Sequence, residues 1–204
     1  MNTMKKNRCI DVLLIFCLLW LGCGGENIPP ESARVYKVMQ DKANELGSLE
    51  AAVKLDPSAA IKGKTAIVVH WHDSIVDKPE DYRIEGYTQY FDGIAKAKVL
   101  DPWGLTPETV PTTPSEIETL VRISCGKGDR IGTFPAERRA PVPAYRRDCL
   151  VDIIDYKTKT VVSRETFFSS EIDPHTRVLP IDQEVVASPP YEDIKSYVKN
   201  FKRE

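Results

Sequence analysis

Residues 148–168 read DCLVDIIDYKTKTVVSRETFF. Two runs rich in Val, Ile, Thr and Phe, 148–156 and 160–168, flank a short polar turn at 157–159, the pattern of two strands folded back on one another. Upstream, 118–125 reads as a third strand, separated from the hairpin by a long connection, 126–147. The run 64–72 is the clearest single strand. Ile67, Val69 and Trp71 share one of its faces, and Ala66, Val68, His70 and His72 the other. A further β-rich stretch spans 82–100, interrupted by Gly86 and by Asp92-Gly93, a hairpin-type turn pair. The proline-rich segment 102–114 has no sustained periodicity and reads as an extended surface loop.

Helices flank this sheet-forming middle. Val35, Val38, Met39, Ala43 and Leu46 recur at three- and four-residue spacing and Gly47 follows, predicting an amphipathic helix from about Glu31. Ser48 caps a shorter predicted helix that reaches Leu55 and stops at Asp56-Pro57. Near the C-terminus Ser188 caps and Pro189 and Pro190 open a helix whose stripe is Tyr191, Ile194, Tyr197, Val198 and Phe201. The expected fold is a single α+β domain over 31–204. It has an antiparallel sheet of four to six strands, N-terminal helices, a C-terminal helix docked on the sheet, and one disulfide.

The first 23 residues have a different character. Lys5, Lys6 and Arg8 precede an apolar run from Val12 to Leu21, and Gly22-Cys23 closes it. About ten apolar residues reach only ~15 Å as helix, half of a ~30 Å bilayer core, so the segment reads as a secretory signal peptide rather than a span. The run Leu19-Trp20-Leu21-Gly22-Cys23 resembles the lipobox of bacterial lipoproteins. That resemblance implies cleavage after residue 22, acylation of Cys23 with chains such as palmitate, and a lipidated tether over 23–30. Asp11, beside the apolar run, departs from the pattern. Gly24 after the modified cysteine resembles cargo of the outer membrane, facing the periplasm or the outside.

Of five cysteines, Cys9 and Cys17 lie in the signal and Cys23 is consumed by lipid, which leaves Cys125 and Cys149. In an oxidising compartment these two most simply join, closing a loop of ~25 residues for about 3.5 kcal/mol. Two buried reduced cysteines, or a catalytic or metal-binding thiol, are the competing readings. Removing 1–22 leaves 182 residues and takes the net charge from −2 to −4, a balance that does not suggest nucleic acid.

A second resemblance covers about 61–201. Ile61-Lys62-Gly63-Lys64, Thr113-Pro114-Ser115-Glu116, Gly132-Thr133-Phe134, Ala144-Tyr145 and the run from Cys149 are similar to a family of small bacterial exported proteins with no assigned activity. It implies domain limits and the Cys125–Cys149 pairing.

Chemistry-bearing residues are few. His70 and His72, two apart on a strand, point one way, and with His175 they compose a candidate zinc or copper site; a strand ending in polar side chains at the surface is the plain alternative. Arg138, Arg139, Arg146 and Arg147 on the 126–147 connection are candidates for binding phosphate or carboxylate groups, on anionic lipid or another envelope protein. Local ion pairs on a solvated loop are the competing reading. Tyr82, Tyr87, Tyr90 and Phe91 could stack on sugars or simply pack. The sequence lacks Gly-x-Ser-x-Gly, His-Glu-x-x-His, a phosphate-binding glycine loop and a dinucleotide fingerprint. The expected role is a lipid-anchored, non-catalytic envelope protein that binds or scaffolds, without a cofactor. The alternative is a metal-handling or small-ligand-binding lipoprotein using His70 and His72.

Overall fold

A computed structural model describes residues 30–70, 82–87, 89–91, 94–96, 103–136, 140–176, 178 and 182–204. The predicted hairpin is the middle of the sheet. Strands β7 (Val142–Asp155) and β8 (Thr160–Ser169) pair antiparallel from Asp155↔Thr160 to Arg147↔Ser169. Lys159 closes their turn in the left-handed region, φ 52°, and the Thr158 amide donates to the Asp155 carboxylate at 2.9 Å. On the other side of β7 runs β6 (Thr119–Phe134), also antiparallel, with Cys125 directly opposite Cys149. These two cysteines form a disulfide, Cα to Cα 3.9 Å.

The sheet is mixed, which corrects the expectation of an antiparallel one of four to six strands. Seven strands share it, in the order β1-β8-β7-β6-β2-β3, with β9 (Val185–Val186) alongside β7. β2 (Thr65–His70) lies parallel to β6, β1 (Ala52–Val53) parallel to β8, and β9 parallel to β7. β3 (Arg83–Glu85) is antiparallel to β2. The physical reason for the difference is visible in β2. All six of its residues are buried, so both faces are covered, as for strands inside parallel sheets; its run Ala66-Ile67-Val68-Val69 signals two-sided burial rather than alternation. β4 (Gln89–Phe91) and β5 (Ile94–Lys96) form a separate antiparallel pair, and Asp92-Gly93 lies outside the described residues.

Two further expectations change. The segment 48–55 is extended rather than helical. Ala52 and Lys54 amides donate to Lys159 and Val161 carbonyls at 3.0 Å, and Asp56 to Val162 at 2.9 Å, because β8 offers an open edge while so short a helix is marginal alone. The connection 126–147 is not a loop. β6 and β7 continue as a two-stranded arm, paired out to Phe134↔Val142 with register shifts between Lys127 and Gly132. Solvent bathes most of the β6 side of that arm, so it carries no hydrophobic alternation to read.

Helices α1 (Pro30–Gln40) and α2 (Ala43–Gly47) replace the single predicted helix, divided at Asp41-Lys42. α3 (Tyr191–Asn200) buries Ile194 and Val198 as its stripe requires. Strand alternation assigns the faces. Ser163 and Phe167 share the side of Val151 and Ile153, and Tyr197 of α3 reaches both, its hydroxyl 3.0 Å from Ser163 and its ring 5.4 Å from that of Phe167. Arg122 and Ser124 point to the opposite side, where the N-terminal segment lies. Met39, Ala43 and Leu46 belong to the same core as Ile67, Ile123 and Ile153.

Candidate functional site

The N-terminal face of the sheet carries most of its buried polar chemistry. Asp152 stands between Arg122 and Arg164, its register partners on β6 and β8. Arg122 donates from Nη2 to the carboxylate at 2.7 Å, and Arg164 from Nε and Nη2 at 2.6 and 3.0 Å. Arg122 spends its other arm on the carbonyl of Leu49 at 2.7 Å, tying the segment after α2 to the sheet. Burial pushes the Asp152 carboxyl up, but the hydrogen bonds from Arg164 and Arg122, with their charges, outweigh it and hold the group below the usual carboxylate range. Nothing in the sequence analysis singled out this triad. The available signal was one charged residue amid each of two apolar runs, Leu120-Val121-Arg122-Ile123 and Leu150-Val151-Asp152-Ile153.

One register step along, His70 lies beside Ser124 in the parallel β2–β6 pair, so both point to this face. Tyr82 covers them. Its hydroxyl is hydrogen-bonded to Ser124 Oγ at 2.8 Å and its ring lies 5.2 Å from that of His70. Asn44 of α2 accepts the Tyr82 amide at 2.7 Å, and Gln40 of α1 takes the Ile84 amide at 3.0 Å and donates to the Tyr82 carbonyl at 3.1 Å. The ring rests on Gly47, where a Cβ would lie 2.2 Å from Tyr82 Cγ, so this approach requires glycine. His70 is thus a buried packing partner, and His175 stands exposed in a loop, its amide donating to Asp173 at 2.8 Å. Among the described residues no group of three or more His, Cys, Asp or Glu is arranged to hold a metal ion. His72 and Cys23 lie outside the described residues.

Of the four candidate arginines, Arg138 and Arg139 also lie outside them. Arg147 is buried and donates from Nε to the Ala187 carbonyl at 3.0 Å. Arg146 forks onto Asp148 at 2.6 and 2.9 Å, reaches Asp129 at 3.2 Å and sits 5.2 Å from the Phe168 ring. These two side chains serve the fold of the arm. Lys127, beside them, pairs with Glu184 at 2.9 Å.

A second polar group joins β3 to α3. Burial raises the Glu85 carboxyl above its ordinary range, against Lys195, the Tyr191 hydroxyl and Arg83. The Lys195 ammonium sits 3.8 Å over the Tyr191 ring and 3.0 Å from Glu192. Of the aromatic cluster, Tyr87 is buried and donates to the Pro111 carbonyl at 2.5 Å. At the opposite end of the sheet a recess of about 220 Å³ is lined by Asp56, Glu118, Asp155, Glu204 and Lys62. Its acids have protein partners: Ser58 for Asp56, the Lys64 amide for Glu118, Thr158 for Asp155, and Lys62 and Lys202 for Glu204.

No family model, no curated protein and no solved structure matches this chain.

Proposed function

We propose that this protein is a lipid-anchored component of the bacterial cell envelope, held through Cys23 after removal of residues 1–22, with a non-catalytic binding or scaffolding role. The observation that carries the reading is the pairing of the lipobox-like Leu19-Trp20-Leu21-Gly22-Cys23 with the disulfide between the two cysteines left beyond it. A disulfide suits an exported chain, because cytosolic thiols are kept reduced. Several acyl chains, each methylene contributing about 0.8 kcal/mol, hold such a protein at the membrane permanently. The polar groups described above bind one another and the main chain, which supports scaffolding by surfaces over turnover in a cleft.

The test is intact-mass spectrometry with fatty-acid labelling of the native protein and of Cys23→Ser. The expected result is a mature N-terminus at Cys23 carrying acyl chains, a membrane fraction that holds wild type, and loss of both label and membrane association in the variant. An unacylated native N-terminus overturns the proposal.

A further inference from the structure

Among the described residues, the outer edge of β8 is partnered only at its beginning. β1 pairs with Thr160 and Val161, and the last bond of that seam runs from the Asp56 amide to the Val162 carbonyl. From 163 to 169 no described strand lies outside β8, although its inner side is paired with β7 throughout. The Val161 and Val162 carbonyls both point away from β7, because a bulge opposite Ile153 and Ile154 breaks the alternation there; beyond it the period of two resumes from Val162, so the main-chain groups of Arg164, Thr166 and Phe168 point outward as well. The Cys125–Cys149 pair gives the same phase. Its 3.9 Å Cα separation marks a non-hydrogen-bonded pair of β6 and β7, which turns the Cys149 main chain toward Phe167 and leaves Phe167 and Glu165 facing inward. Phe168 is 65% exposed, the most open of the large apolar side chains described.

We propose that this edge pairs with the same edge of a second copy of the chain, antiparallel about a two-fold axis at Thr166. The strand is complementary to itself in that register alone. Thr166 faces its own counterpart, and Arg164 faces the other copy's Phe168 twice over. All three outward-facing residues thereby form hydrogen-bonded pairs, each exchanging two main-chain bonds, and the pairing ends before β1. An axis at Arg164 or Glu165 would oppose like charges and collide with the Val162 carbonyl already taken by Asp56. An axis at Phe167 would carry Arg164 past the strand end at Ser169. The partner is another copy because nothing but this strand's own sequence is needed to satisfy it.

The experiment uses the full-length protein in detergent, with mass read by light scattering and sedimentation. Wild type is expected at twice the monomer mass. Thr166→Cys should oxidise to a dimer whose introduced thiols are joined, identified by peptide mass. Ser163→Cys alone should not cross-link, since its own counterpart lies six residues, ~20 Å, along the strand. A mixture of Ser163→Cys with Ser169→Cys should give the mixed dimer. Thr166→Pro removes an outward amide for which no acceptor occurs among the described residues, and should halve the mass with the circular dichroism of wild type. A wild type that stays monomeric at every concentration overturns the proposal, as does a dimer that Thr166→Cys cannot cross-link. Binding of some other protein to the edge with no self-association overturns it too.

Discussion

Asp152 is the residue on which the N-terminal face is organised, because a carboxylate whose side chain is 2% exposed is tolerable only with both guanidinium groups in place. Asp152→Asn keeps the shape and strands Arg122, 16% exposed, beside a lost charge, while Arg164, 36% exposed, can turn to water. Screening at Arg164 lowers the expected cost to about 2 kcal/mol at pH 7, read by urea unfolding. Because the native carboxyl titrates below its unfolded value of about 3.9, its contribution is complete above that pH and is lost as pH falls through the native value. The wild-type advantage over Asp152→Asn should therefore vanish in strong acid. Glu85 has the opposite sign. Its raised native pKa means the fold favours the neutral acid, a contribution present below the unfolded value and lost as pH rises through the native one. Glu85→Gln, which mimics the neutral form, should melt at or above wild type at neutral pH, and the difference should shrink toward pH 4. Neither residue was legible as special from the chain, since burial of a single acid depends on what the other layers bring to it.

At the scale of elements, the disulfide decides how firmly the arm is held. It joins register partners 24 residues apart, at the point where β6 and β7 leave the shared sheet. Replacing Cys125 and Cys149 together by Ala should lower stability by about 3 kcal/mol in urea, on the loop-closure account. Amide exchange should quicken first in the arm beyond Gly126, where few apolar contacts back the ladder. The elements differ in how far local pattern announced them. α3 was legible because Ile194, Tyr197 and Val198 recur at helical spacing, and the 148–168 hairpin because its apolar runs are broken by one polar turn. β1 was not, because Ala51, Ala52, Val53 and Leu55 also suit a helix; an open edge 108 positions away, at Thr160, made them extended. The arm was missed for the complementary reason, that its β6 half is mostly exposed, is held by its backbone and leaves little mark on side-chain choice.

The whole molecule has an acid limit set by groups at different places. Glu116 takes hydrogen bonds from the Lys64 ammonium and then from the amide and hydroxyl of Thr112, which hold its carboxyl at about 2. This clasp joins the approach to β2 with the approach to β6, so its loss loosens the parallel seam. Its contribution is full above the unfolded value of about 4.3 and declines as pH falls toward 2, the range in which Asp152 weakens as well. Thermal melting should rise slightly from pH 7 to 5 as Glu85 takes up its proton and fall steeply below 4, and Glu116→Gln should flatten part of that fall. By itself the sequence determined the strands at 118–125 and 148–168, the helix at 191–200 and the cysteines available to pair, because periodicity, turn chemistry and counting are local properties. Only the tertiary structure decided that β2 enters parallel to β6, that 48–55 is extended and that Asp152 is buried. Those outcomes depend on main-chain and charged partners brought in by other strands: Arg122 comes from 30 residues away, and even Arg164, 12 residues from Asp152 in the same hairpin, faces it only through the register of the folded ladder.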